Sequence, residues 1–241
     1  MFLPWGEHYS IDLPGARAVF TTRRGGFSSG PYESLNLGRL TDDRPEDVER
    51  NRAALENELP AALSYIRQIH GTTVRRVSEP TRAGPDLPEA DGQATAQPGI
   101  AVMVMVADCL PIALSGEGAV AMLHGGWRGL AGGIVEEGVR ALRELGAKGP
   151  MTAAIGPGAS VCCYEVGEEV HEVFAADHGD RVRRGRNLDL QRIARERLER
   201  AGVAIVHDLE MCTICGEPTL LYSHRREKGV TGRQAGIAWL T

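Results

Sequence analysis

Two neighbouring stretches decide how this chain is read: Ile100-Ala-Val-Met-Val-Met-Val-Ala107-Asp-Cys-Leu-Pro111, then Ala119-Val-Ala-Met-Leu-His124-Gly-Gly-Trp-Arg128. Each apolar run is hydrophobic at every position, rich in valine or alanine, and halted by Asp or Gly. That pattern fits a strand covered on both faces better than a half-exposed hairpin. Each run also delivers a reactive side chain to its tip, Cys109 in the first and His124 in the second. If the two tips are neighbours, a thiolate and an imidazole meet.

Upstream, Ala18-Val-Phe-Thr-Thr22 reads as a strand, followed by a glycine-rich polar loop from Arg23 to Tyr32 that Leu35-Asn-Leu-Gly38 closes. Glycines let a backbone approach a ligand, and Arg23 offers charge to an anion. Pro45 to Leu59 carries early acids and helical spacing, so an amphipathic helix is expected there. Leu63 to His70 is strand-like and ends in a further histidine, and Thr72 to Val77 is a second short strand. Glu79 to Pro98, rich in Pro, Gly and Asp, reads as a long connection with a turn at Asp91-Gly92.

Downstream, Gly129 to Leu145 has helical periodicity, and its first N–H groups beside Arg128 would form an anion site. Met151 to Ile155 and Val203 to Val206 read as strands, Glu168 to Ala176 and Leu188 to Ala201 as helices, and Gln234 to Leu240 as the last strand. Irregular alternation of strands and helices argues a mixed α/β fold, with residues 1–241 forming one domain.

With 241 residues and 42% hydrophobic content the chain can bury a substantial core. A net charge of -5 argues against a dedicated nucleic-acid binder. The N-terminal residues lack the basic and apolar regions of a signal peptide, and no apolar run is long enough to span a bilayer. Five cysteines, an odd number, fit a reducing compartment, so a cytoplasmic protein is expected.

Three residues stand just past apolar runs: His70, Cys109 and His124. Zinc takes imidazole and thiolate, and three protein ligands with one open position is the catalytic pattern, in which a bound water becomes acidic. The same atoms also read as a Cys–His dyad with Cys109 as nucleophile. Cys212-Thr-Ile-Cys215 and the adjacent Cys162-Cys163 suggest a four-cysteine metal site or a dithiol. A vicinal pair does not present thiolates as a CxxC does, so the sequence favours core or loop cysteines there.

Thr21-Thr-Arg-x-Gly-Gly26 with Leu35-Asn-Leu-Gly38, Gln68-Ile-His-Gly71, Ala107-Asp-Cys-Leu-Pro111, His124-Gly-Gly-Trp-Arg-Gly129, Cys163-Tyr-Glu-Val-Gly167 and Thr231-Gly-Arg233 together resemble the bacterial YfiH/YlmD family. That family carries the labels multicopper polyphenol oxidase, laccase-domain protein and purine nucleoside phosphorylase. The resemblance implies two packed sheets flanked by helices, a four-layer αββα sandwich related to cysteine-hydrolase folds, and a zinc on His70, Cys109 and His124. Copper is the alternative metal.

The implied activity is cleavage of adenosine, inosine or methylthioadenosine by phosphate, with deamination of adenosine, and small-molecule nucleoside and phosphate as the only partners of a monomer. On this expectation Glu165 or Asp108 moves a proton, while Arg128, Arg23 and Asn36 hold substrate or phosphate. Two other activities compete: a cysteine hydrolase or amidase editing a peptidoglycan precursor, and a copper polyphenol oxidase. Seven histidines without a His-x-His pair weigh against the oxidase. The chain departs from the family pattern at Gly125, Ala159-Ser-Val161 and His224.

Overall fold

The two deciding runs are both strands, but they lie in different sheets. In chain order the computed structural model, which describes residues 1–241, contains β1 (Leu3–Trp5), β2 (His8–Leu13), β3 (Ala16–Phe20), α1 (Pro45–Glu58), β4 (Ala62–Ser64), β5 (Val74–Arg76) and β6 (Gly92–Thr95). Then come β7 (Ile100–Val106), β8 (Leu110–Glu117), β9 (Ala119–Gly125), α2 (Trp127–Gly132), α3 (Ile134–Glu144), β10 (Lys148–Ile155) and α4 (Glu168–His178). The chain ends with β11 (Arg183–Arg184), β12 (Asn187–Leu188), α5 (Leu190–Arg200), β13 (Val203–Asp208) and β14 (Gln234–Leu240).

One six-stranded sheet has the order β1-β2-β3-β14-β7-β4, and the other β13-β10-β8-β9-β6-β5. Both are mixed, with parallel pairs β4–β7, β5–β6 and β10–β13 among antiparallel neighbours. Packing explains why the deciding runs are apolar throughout. Val102, Val104 and Val106 of β7 face Ala113, Val120, Met122 and Ala154 between the sheets. The alternate residues Ala101 and Met103 meet Leu55 of α1 on the outer face. On the far face of the second sheet, Leu114 and Leu123 pack against Val139, Phe174 and Ile193 from α3, α4 and α5. A strand buried on both faces has no polar side to show.

The helix expected from Gly129 to Leu145 is two helices, α2 and α3, broken at Gly133, whose left-handed backbone (φ 97°) a residue with a side chain resists. Strand β8, between the two deciding runs, was not foreseen: Pro111 and Gly116 interrupt its pattern. The Glu79–Pro98 connection also contains β6, buried at all four positions. Gly, Gln, Ala and Thr carry little apolar signal, and their burial rests on hydrogen bonds instead. The Gln93 side chain donates to the Ser64 and Met103 carbonyls, and Thr95 Oγ1 to that of Val77.

No helix is long and apolar enough to cross a membrane.

Candidate metal and active site

Cys109 and His124 meet because of the β8–β9 register, not because β7 and β9 are neighbours. Pro111 pairs with His124 and Leu110 with Gly125, so Cys109, one residue ahead of β8, lies beside the end of β9. Gly126 completes the fit: a Cβ there would stand 3.0 Å from Cys109 Sγ and 3.4 Å from His70 Cδ2. The ligand atoms of His70, Cys109 and His124 all lie within 4.8 Å of one another, and the two imidazole rings are inclined at 67°. A soft sulfur and two imidazoles converging around space that no side chain fills suit a zinc-type cation.

Asp91 holds this geometry. Fully buried, its Oδ1 accepts from the His70 N–H at 2.8 Å and lies 2.8 Å from His124 Nδ1. Its Oδ2 accepts from the N–H groups of Ile69 and Gly71 at 3.1 and 2.6 Å. One carboxylate therefore orients both imidazole-bearing segments and fixes His70 in a left-handed backbone (φ 60°). With Nδ1 of His124 engaged, Nε2 is the nitrogen left for a ligand, the arrangement that metal-binding histidines use. The sequence marked Asp91 only as a turn residue. A buried acid facing donors from two segments has no signature of its own.

Burial alone would keep Cys109 neutral. The His124 and His70 imidazoles outweigh it and bring the thiol down to about 6. His124 moves the other way, to about 9, as the Cys109 thiolate and the Asp91 carboxylate overcome its burial. The side chains thus favour a thiolate, the form that ligates metal or attacks carbon.

Arginines lie within electrostatic reach of the site. Tyr164 is pushed up to about 12, by burial and then by the Cys109 charge, while Arg225 and Arg128 act against the rise. Burial lowers Arg233, and the charges of Asp108 and Cys109 partly restore it. None of Arg128, Arg225 and Arg233 forms an ion pair with an acid, although most arginines of the chain do, and Arg225 and Arg233 each direct one guanidinium nitrogen to backbone carbonyls, of Glu165 and of Thr231 and Gly232. Arg128 stacks over Trp127, and Arg225 over Tyr164. The helix expected to assist Arg128 is only the six-residue α2, too short to count as an anion site in its own right.

The structure does not bring the other expected residues to the cluster with free polar atoms. Arg23 donates to the carbonyls of Glu33, Pro31 and Pro218 and pairs with Glu227 at 2.9 Å, so its donors are consumed internally. Asn36 is fully buried, donating to Thr41 and Asp43 and accepting from the N–H groups of Gly38 and Arg233. Glu165 turns its carboxylate to Arg186 at 2.7 Å. Asp108 has both oxygens occupied, by Thr213 Oγ1 at 2.6 Å and the Arg225 N–H at 2.7 Å. These partners come from remote segments, which a local reading of the sequence does not reveal.

Two large mixed sheets and one converging His/Cys/His cluster define an α/β protein with a candidate metal site. Residues 17–241 match the family described as multi-copper polyphenol oxidoreductase laccase, and the chain belongs to this laccase-like YfiH/YlmD family. A purine nucleoside phosphorylase of Pseudomonas aeruginosa is 39% identical over 93% of this chain and 93% of its own length. The purine nucleoside phosphorylase YfiH of Escherichia coli is 35% identical over 94% of each. Among solved structures, YlmD from Geobacillus stearothermophilus superposes with a TM-score of 0.90 at 32% identity, covering 99% of this chain and 98% of that one. A Neisseria meningitidis protein gives 0.86 at 35% identity, over 97% and 99%.

Proposed function

We propose that this protein is a zinc-dependent purine nucleoside phosphorylase that cleaves adenosine, inosine or methylthioadenosine and also deaminates adenosine. One observation carries the reading: a converging His/Cys/His ligand set, with arginines that have no acidic partner within electrostatic reach. Phosphorolysis joins a phosphate oxygen to the anomeric carbon, breaks the bond from that carbon to the purine nitrogen, and passes a proton to the departing base. Such a reaction needs cations for phosphate and an aromatic or apolar wall for the base. Arg128, Arg225 and Arg233 supply the first, and the Tyr164 and Trp127 rings offer the second.

His70, Cys109 and His124 would hold the metal, with Asp91 setting the orientation of both imidazoles. Bound there, zinc supplies Lewis acidity and lowers the pKa of water, which suits displacement of ammonia from C6 of adenine. The relatives named purine nucleoside phosphorylase support this reading.

Incubation of adenosine and of inosine with and without phosphate tests it. Ribose 1-phosphate is expected only with phosphate, and inosine from adenosine without it; no product from either nucleoside overturns the proposal.

The depressed Cys109 thiol favours one second reading, a cysteine hydrolase or amidase with Cys109 as nucleophile, and with it the kinship to cysteine-hydrolase folds. Trapping separates the two, since a nucleophile leaves a covalent Cys109 adduct with substrate and a ligand does not. Polyphenol oxidation has less support: only two groups of three or more His, Cys, Asp or Glu ligands converge, and only one contains histidine. Copper remains able to occupy that site by affinity.

A further inference from the structure

Away from the His/Cys/His cluster, Cys162, Cys163, Cys212 and Cys215 bring four sulfurs within 4.8 Å of one another. Cys162 Sγ lies 3.3 Å from Cys215 Sγ and 3.5 Å from Cys163 Sγ. In a tetrahedral zinc site with bonds of about 2.3 Å, the sulfurs stand about 3.8 Å apart, within the range seen here. The four cysteines lie in loops, as the sequence favours, but the vicinal pair directs both thiols to one point, which the sequence alone does not indicate.

Two tight turns bring the cysteines together, and the first carries Cys212 and Cys215. That turn needs Gly216: its N–H donates to the Cys212 carbonyl at 3.0 Å, and a Cβ there would stand 2.3 Å from that oxygen. The opposite wall is the Gly158–Cys163 turn. The Thr213 N–H donates to the Gly158 carbonyl, the Gly158 N–H to that of Met211, and the Cys163 N–H to that of Ser160.

The geometry points to a second, structural metal site in which Cys162, Cys163, Cys212 and Cys215 bind one zinc ion as thiolates. All-sulfur tetrahedra select zinc or iron, and four protein ligands leave no position for substrate. A cation also answers an electrostatic problem. Without a positive ion, charging one sulfur penalises the rest.

Such an ion would fasten two turns that both hold Asp108. Thr213 bonds the Asp108 carboxylate, and the Ala159 N–H donates to the Asp108 carbonyl at 2.7 Å. The clip would therefore set the backbone immediately before Cys109. This inference does not depend on which reaction the protein catalyses.

Metal content of untagged protein purified under reducing conditions tests it. About two zinc ions per chain are expected, falling to one in Cys109→Ala, one in Cys215→Ser and none in the double variant. Should Cys215→Ser fail to fold, Cys109→Ala alone decides the matter. Loaded with cobalt, it should show intense sulfur-to-metal charge-transfer bands, and zinc should raise its Tm by several degrees. The proposal is overturned if Cys109→Ala carries no zinc and shows no such bands. It is equally overturned if freshly prepared protein has a Cys162–Cys215 disulfide, seen as a mass lower by two hydrogens.

Discussion

Two clusters of metal-grade side chains stand on either side of Asp108 and are built in opposite ways. His70 from a loop, Cys109 from just before β8 and His124 from the end of β9 mix nitrogen with sulfur, and rely on the buried Asp91 to hold their angles. The four cysteines come from two tight turns, offer sulfur only, and are held by backbone hydrogen bonds. Three ligands with a directed partner leave room for a reactant, whereas four close the shell. Ligand count and the source of orientation thus separate a site suited to chemistry from one suited to stability.

The sharpest way to break that contrast is Cys109→Ala. Loss of a metal ligand at the reacting centre should lower kcat/KM for phosphorolysis by at least about 10³-fold, equivalent to several kcal/mol of transition-state stabilisation. Cys215→Ser should act chiefly on Tm. Comparable activity losses in the two, with comparable changes in Tm, would erase the distinction.

Asp91→Asn keeps the shape of the side chain but removes its charge and replaces one acceptor oxygen with a donor. Metal affinity at the first cluster, measured by chelator competition, should fall about 10–100-fold. An unchanged affinity would mean that the carboxylate orients neither histidine.

Arg128→Ala and Arg23→Ala form a smaller test. The first should raise the KM for phosphate about tenfold, the loss of one charge-assisted hydrogen bond. The second should lower Tm and leave that KM alone, because the Arg23 donors already serve Glu33, Pro218 and Glu227. The reverse outcome would move the anion site to the other arginine.

The smallest effect expected is in acid. Burial opposes ionisation of Glu227, but Thr231, Arg226, the Ser223 N–H and Arg23 hold its carboxyl below the ordinary carboxylate range. A carboxyl lower in the folded than in the unfolded state stabilises fully above the unfolded value, and that contribution disappears as pH falls through the folded one. Urea titrations from pH 6 down to about pH 3 should show wild type losing on the order of 1 kcal/mol that Glu227→Gln never had. Parallel curves would refute the assignment.

Much of the fold was readable because β7 and residues 119–123 of β9 are apolar at every position, which only a doubly covered strand requires. Cys109 and His124 were readable because each follows such a run. Asp91 was not, since a buried acid that serves backbone donors has the composition of a turn. Nor was it readable that Arg23 is engaged internally, because its acidic partner Glu227 lies 204 residues beyond it in the chain. The convergence of the four cysteines was not readable, because vicinal thiols diverge in an extended chain and converge only in the turn that Ser160 closes.

Strand β14 lies between β3 and β7, so the N-terminal sheet has a gap in its middle until the most C-terminal strand arrives. On the ribosome the facing edges of β3 and β7 stay open while nearly all of the chain is made, a long interval for edges prone to mispairing. Arg233 immediately precedes β14 and is delivered with it. Closure of that sheet and delivery of the Arg233 guanidinium are thus one event, since a single strand brings both.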